Sequence, residues 1–385
     1  MKQIELVLQN DGMKRTVIFP CTESEYQATC KELALKDNYA FVKAVVKPKE
    51  FEFKKDMFVN LDEINYLAKR MDSFDQKELF SFFAAIEAEK YLSTRELINL
   101  TFNLNCYTLI CDVSSLKNVG RNYLVSSKGG ISVSELEKTD LEKIGRELLS
   151  SGKGIPTKYG LFFRNEGVAF VEAYHGKGFP QYYYTGGEVL CAAIEKCGEK
   201  DYIYFPCEKT EVERALQRIG ANDIADCTKT AEVSTGDAAW EKFFDDLLQK
   251  NEIESINAIS AEISPQGTGM GAVEEKLYKL SSVMEFAGVT YDETEKVIRL
   301  AERLDEFGYY REMKDDEMLW RTLKEQEFCD IPDSMDKYMD YERYAQDFLE
   351  EKGGAYTKNG DVVYLREGHT LSEILGENEI KMGGI

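Results

Sequence analysis

Three short stretches of this chain occur twice in the same order, and that repetition limits its architecture more than any other feature. Ile18-Phe19-Pro20-Cys21 returns as Tyr204-Phe205-Pro206-Cys207, an offset of 186 residues. Glu63-Ile64-Asn65-Tyr66-Leu67-Ala68 resembles Ser255-Ile256-Asn257-Ala258-Ile259-Ser260, an offset of 192. Thr157-Lys158-Tyr159-Gly160 and Glu166-Gly167 resemble Thr357-Lys358-Asn359-Gly360 and Glu367-Gly368, an offset of 200 to 201. The offset drifts slowly, so the second copy carries only modest insertions, and the chain reads as two divergent copies of a module of about 165 residues. With 385 residues and 43% hydrophobic content, there is enough apolar material for packed cores.

Each copy reads as α+β. Ile4, Leu6 and Leu8 alternate as a half-buried strand does, and Thr16-Val17-Ile18-Phe19 is its hairpin mate across the Asn10-Asp11-Gly12 turn. Thr22-x-x-Glu25 and Thr210-x-x-Glu213 carry the capping-box spacing, so each Pro-Cys landmark feeds a helix. Ile64, Leu67, Ala68 and Met71 form one helical stripe and Leu79, Phe82, Phe83 and Ile86 a second, which predicts two amphipathic helices packed together. Val297, Leu300, Ala301, Leu304 and Phe307 form a similar stripe in the second copy. Each copy is expected to close on a short hairpin, Leu161 to Val171 and Val362 to Arg366. The expected architecture is an elongated tandem of two related modules, each of small β-sheets and hairpins plus a helical subdomain. Module 1 spans 1–168 and module 2 spans 201–385, with 169–200 as a connector whose Tyr174, Phe179, Tyr182, Tyr183 and Tyr184 predict packing.

Several chemistries are poorly served. Only His175 and His369 exist, which removes most Ser/His/Asp, Cys/His and His-rich metal constellations, and His175 reads as a surface residue beside a turn. Nine cysteines are scattered with no Cys-x-x-Cys pair, so reduced, structural thiols are expected. Gly267-Thr268-Gly269-Met270-Gly271 lacks the Lys-Ser/Thr of a phosphate loop and reads as an inter-helix loop. Asp315-Asp316 sits in no Asp-x-Asp-x-Asp-Gly loop and reads as a solvated helix face. No catalytic residue, cofactor or metal is expected. The N-terminal residues lack an apolar run, so a cytoplasmic location is expected.

Charge is unevenly placed. Residues 1–200 hold 27 basic and 28 acidic residues, whereas 201–385 hold 21 and 42, so the formal charge of −22 falls almost entirely on the second copy. Residues 301–350 alone hold 16 acidic and 7 basic residues, interleaved with Tyr309, Tyr310, Trp320, Tyr338, Tyr341 and Tyr344. Aromatic residues at that spacing can bury a face, so the segment reads as ordered. The charge disfavours unassisted binding to nucleic acid or an anionic membrane and calls for a basic partner.

The run Ile331-Pro332-Asp333-Ser334-Met335-Asp336-Lys337-Tyr338-Met339-Asp340-Tyr341-Glu342-Arg343-Tyr344-Ala345-Gln346-Asp347-Phe348 resembles the C-terminal segment of the ArdA antirestriction proteins. Gly354-Ala355-Tyr356-Thr357 to Tyr364 is similar to that family's terminal hairpin, and Leu61 to Leu67 and Phe74 to Leu79 to two upstream segments. Ala345 replaces the family's usual Gly, although Gly145 holds the corresponding place in the first copy. The resemblance implies a DNA mimic that occupies the DNA-binding cleft of a type I restriction-modification enzyme, as a homodimer or, for a fused tandem, as a single-chain pseudo-dimer. On that reading Asp305, Glu306, Glu312, Asp315, Asp316, Glu317, Glu325, Glu327, Asp330, Asp333, Asp336, Asp340 and Asp347 stand in for phosphates. A competing reading is an adaptor or inhibitor of another defence or replication protein, recognised by shape and aromatic contacts. A third, a carboxylate-based hydrolase, requires a cleft with paired, pKa-shifted acids.

Overall fold

A computed structural model describes residues 2–91, 93–127, 131–264, 270–326, 335, 338, 340–366 and 368–376. It is α+β and divides into two compact units, Met1–Tyr184 and Thr185–Ile385. Among the described residues no helix is long and apolar enough to cross a membrane.

In the first unit β1 (Ile4–Asn10) and β2 (Met13–Phe19) form the expected hairpin, with Asp11 and Gly12 both at positive φ. Helix α1 (Glu23–Glu32) follows, its first turn capped by Thr22, which accepts from the Glu25 N–H at 3.3 Å. Strands β3 (Tyr39–Lys47) and β4 (Phe58–Asn60) complete an antiparallel sheet of order β2-β1-β3-β4. Ile4, Leu6, Leu8, Val17, Phe19, Ala40 and Val42 point into one core. Helices α2 (Leu61–Asp72), α3 (Gln76–Glu89) and α4 (Thr94–Thr101) supply the rest of it.

The expected pairing of the first two stripes is corrected here: α2 packs on α4, while α3 lies against a second, smaller sheet. The reason is aromatic. Phe82 and Phe83 meet Phe51 from a 3-10 segment at Lys49–Lys54, and Phe83 stacks on Tyr159 beside the second sheet. That sheet is made by β5 (Tyr107–Ile110), then α5 (Leu116–Ser127), α6 (Val133–Lys138) and α7 (Leu141–Ser150), then β6 (Ile155–Thr157) and β7 (Gly160–Arg164), in the order β5-β7-β6. The closing hairpin is therefore Ile155 to Arg164, not Leu161 to Val171, because Lys158 and Tyr159 make the turn and Gly160, with φ at +136°, opens β7 opposite Thr157.

The connector assignment also changes. Residues 171–184 belong to the first unit and are laced to it by two asparagines, Asn99 on α4 and Asn103 just past its end. Asn99 accepts from the Tyr174 N–H and donates to its C=O, both at 2.8 Å; Asn103 does the same to Val171, both at 2.7 Å. Phe179 stacks on Tyr66 at 4.5 Å with 6° between the rings, so the aromatic content is packed as composition predicted. Residues 190–200, expected to be connector, instead form a strand and the start of its partner.

The second unit begins with β8 (Leu190–Lys196), β9 (Glu199–Phe205), α8 (Lys209–Arg218) and β10 (Thr228–Val233), giving an antiparallel sheet of order β10-β8-β9. Helix α8 starts one turn-fraction earlier than expected: the Glu208 N–H donates to Glu211 at 3.0 Å, and Thr210 lies inside the first turn. Helices α9 (Ala238–Gln249), α10 (Ile253–Ile263), α11 (Met270–Ala287) and α12 (Thr294–Glu302) follow. Gly267, Thr268 and Gly269 lie outside the described residues, and Met270 and Gly271 open α11. The Val297 stripe is not one helix: it runs through α12, a 3-10 turn at Leu304–Glu306 and Phe307 of β11 (Phe307–Tyr310). Next come α13 (Asp316–Glu325), α14 (Tyr341–Lys352), β12 (Ala355–Tyr356) and β13 (Val362–Leu365), with sheet order β11-β13-β12, and finally α15 (Leu371–Leu375).

Both units thus run through a hairpin-led sheet, a helical layer and a small sheet with the third-arriving strand in its centre. The sequence landmarks also touch each other alike. The side-chain carbonyl of Asn65 accepts from the Cys21 N–H at 2.9 Å, and that of Asn257 from the Cys207 N–H at 2.8 Å. Glu87 of α3 accepts from the Lys158 N–H at 3.4 Å, and Glu285 of α11 from the Lys358 N–H at 2.9 Å.

Candidate partner-binding surface

The small sheet recurs with α5 and α7 in the first unit and with α13 and α14 in the second, in segments 104–164 and 304–365; the short α6 is an addition among the described residues of the first. Their charges are opposed. Residues 104–164 hold nine basic and six acidic residues, whereas 304–365 hold eight basic and seventeen acidic, a swing from +3 to −9 on one topology. Since the scaffold tolerates either sign, its geometry does not require the acidity.

Of the thirteen carboxylates marked in the sequence, Glu327, Asp330, Asp333 and Asp336 lie outside the described residues. The other nine are all at least partly exposed, and their roles differ. Asp315 and Asp340 cap α13 and α14, accepting from the Met318 N–H at 2.8 Å and the Arg343 N–H at 3.1 Å. A side-chain oxygen at that position satisfies an otherwise orphaned donor, and the carboxylate also favours the positive helix end. Asp316 accepts from the Tyr356 hydroxyl at 2.7 Å, tying α13 to β12, and burial together with that carboxylate pushes the phenol well above its usual range.

Four of the nine are ion-paired within their own surroundings: Glu306 with Arg303 at 3.0 Å, Glu312 with Arg311 at 3.5 Å, Glu317 with Arg321 at 2.7 Å and Asp347 with Arg343 at 3.9 Å. At these four positions internal arginines offset the acidic charge. Asp305 and Glu325 are exposed, and the charge of Asp305 acts on Lys279; among the described residues these two, the two caps and Asp316 are not engaged by an arginine as the other four are. Glu342 and Glu350 of α14 are exposed as well and were passed over in the sequence, although their spacing with Gln346 places them along one helix face.

The subdomain is ordered by aromatic packing. Trp320 of α13 is fully buried and meets Tyr344 of α14 edge-on at 4.5 Å, with Tyr341 at 6.3 Å. Ala345 is buried against the same layer. Among the described residues of 304–365, Met318, Met335, Tyr338 and Tyr356 are exposed between the carboxylates.

Elsewhere, one buried titratable cluster joins α2, α4 and the Lys49–Lys54 segment. Lys54 donates to the Thr94 hydroxyl at 3.2 Å, and the Tyr174 hydroxyl donates to Glu63 at 2.9 Å. Burial pushes the Lys54 ammonium down to about 8 against the pull of Glu63 and Glu96, and burial pushes the Glu63 carboxyl up. These residues line neither of two shallow clefts, one of about 270 Å³ beside Arg70 and Phe102 and one of about 400 Å³ beside Tyr309 and Arg311. His175 is exposed, 3.7 Å from Glu172. No disulfide joins the eight cysteines among the described residues. Comparison of the chain with models of known protein families finds no match, and a search of curated proteins finds none either.

Proposed function

We propose that this chain is a non-enzymatic inhibitor that mimics DNA and occupies the DNA-binding cleft of a type I restriction-modification enzyme in the cytoplasm of a bacterial host. The observation that carries the reading is the charge swing between equivalent subdomains. A segment whose counterpart in the first unit carries +3 carries −9, an acidity beyond what its two helix caps and the Asp316–Tyr356 tie use, which supports a basic partner as the reason for it. B-DNA presents about one negative charge per 1.7 Å of axis, and a mimic needs such charge displayed on rigid elements. Helices α13 and α14 and their caps supply those elements.

The test is a cleavage assay with a purified type I enzyme, the full chain and competing duplex DNA. Inhibition should be relieved by added duplex and should weaken steeply as ionic strength rises, because contact with a basic cleft displaces ions as DNA does. Inhibition that ignores both duplex and salt would remove the mimicry reading. A second reading, an adaptor recognised by shape, is favoured by Met318, Tyr338 and Tyr356 standing exposed among the carboxylates. It predicts binding that survives high salt and is lost when those three are made polar.

A further inference from the structure

The first unit exposes an apolar face of a quite different kind. In the sheet of order β2-β1-β3-β4 one side packs the core, and on the other the register sets Phe41 beside Phe58 and, across Gln9, in line with Lys14, with Val7 further along the central strand and Ile18 at the far edge opposite Glu5. Phe41 pairs with Phe58 across the strands, their rings edge-on at 5.4 Å, yet Phe58 remains 68% exposed. Large apolar side chains left clustered in water mark an interaction surface.

The second unit supplies an internal control. On the same side of its own sheet Glu232 and Glu195 appear, with Tyr202 and Tyr204 only partly exposed. Among the described residues from 185 to 317 no large apolar side chain is exposed. The second sheet has no counterpart of β4, so the exposed Phe58 is an addition of the first unit, not a demand of the shared three-strand core.

What covers the face is indicated by its charges. Lys14 and Lys43 are exposed on it, and neither pairs with a carboxylate among the described residues, in a chain with 70 acidic and 48 basic residues. The one acid on the face, Glu5, is engaged by Lys47 at 3.3 Å. We infer that the open face of the first sheet docks an extended acidic segment of another protein, one that carries large apolar side chains between its carboxylates. Such a segment fills the Phe41–Phe58 surface and places its acids beside Lys14 and Lys43. The same chain then addresses two partners of opposite character, an acidic segment through this face and a basic cleft through 304–365. Nucleic acid fits the face less well, because a chain of net charge −22 repels a polyanion at long range while a short segment brings few charges.

The test uses the full chain and a fluorescent peptide of about eight residues alternating Glu with Phe and Val, a strand's length. Its counterpart alternating Lys with Phe and Val, and oligothymidylate, serve as the other probes. The acidic peptide should bind, and Phe58→Ser should weaken it by about tenfold or more, as loss of an aromatic anchor does. The double substitution Lys14→Glu, Lys43→Glu leaves the apolar set whole and should weaken it similarly at low salt. No binding of the acidic peptide, equal binding of the basic one, binding indifferent to Phe58 and the lysines, or preferential binding of oligothymidylate would each overturn the assignment.

Discussion

Gly120 of α5 and Gly145 of α7 lie against each other where the two helices cross, so close that a Cβ on Gly120 would stand 3.0 Å from the Gly145 nitrogen and 2.0 Å from the Leu141 carbonyl oxygen. A Cβ on Gly145 would meet the Leu116 carbonyl oxygen at 2.0 Å. At the equivalent positions the second unit has Trp320 and Ala345, so there the helix pair is filled by an indole. Gly120→Ala or Gly145→Ala should therefore cost about 1–3 kcal/mol or more, since backbone, not a flexible side chain, must move. Trp320→Ala should cost about 3–5 kcal/mol for the opposite reason, a cavity. Urea unfolding of each variant measures both, and a neutral glycine substitution would show that the helices do not cross so tightly.

The paired contacts of Asn65 and Asn257 give a second expectation. Each accepts one backbone N–H from the residue after a Phe-Pro landmark, at 2.9 and 2.8 Å. Asn65→Ala and Asn257→Ala leave that donor unmatched at a partly buried site and should each cost about 1–3 kcal/mol. Chemical unfolding that shows no loss for either would contradict the structural role.

Lys54 makes stability depend on pH in a defined window. In the unfolded chain the ammonium titrates near its ordinary 10.5, whereas burial lowers it to about 8 in the folded protein. Between those values the unfolded chain holds the proton and the folded one does not, so stability rises with pH. The gain should be on the order of 2 kcal/mol between pH 8 and pH 10, and should vanish in Lys54→Met. Burial pushes the Cys21 thiol up to about 12, which acts the other way in both proteins and cancels in the difference between parent and variant.

Neutralising Asp305, Asp315, Asp316, Glu325 and Asp340 to Asn or Gln keeps the caps, because Asn caps as well as Asp. Neutralising Glu306, Glu312, Glu317 and Asp347 removes nearly as much charge from residues already engaged by arginines. Long-range attraction to a basic cleft falls similarly for both sets, so association with a type I enzyme should slow comparably. Only the first set should dissociate faster, by about tenfold or more, because no arginine must be displaced before its carboxylates make close contact. Surface binding kinetics separate the two; equal dissociation rates would mean the ion pairs open on binding.

The repeat was readable because its landmarks are held by specific contacts: Asn65 and Asn257 cannot change without orphaning a donor, and the turns at Gly160 and Gly360 need positive φ. Hairpin β1–β2 was readable from alternation and Asp11-Gly12. The end of the first unit was not, because Asn99 and Asn103 act on residues 68 to 75 positions away, and no local pattern marks an asparagine that imitates a strand edge. The Val297 stripe misled because Leu304 and Phe307 continue a helical spacing through a 3-10 turn into a strand. Among the site residues exposure was legible from composition, but of the four arginine pairs only Glu317–Arg321 and Arg343–Asp347 follow helix spacing, while Glu306 pairs from a 3-10 turn and Glu312 from a turn outside any helix.

The lacing of residues 171–184 by Asn99 and Asn103 has a consequence for synthesis. A growing chain emerges at about 5–20 residues per second, N-terminus first. When residue 168 has cleared the ribosome, both sheets of the first unit have their strands, yet Asn99, Asn103 and Tyr66 still lack Tyr174, Val171 and Phe179. The last segment that unit needs is released just ahead of β8, which starts at Leu190. The end of one unit and the start of the next thus leave the ribosome almost together, and a chain halted at residue 168 lacks the segment that covers Tyr66, Asn99 and Asn103.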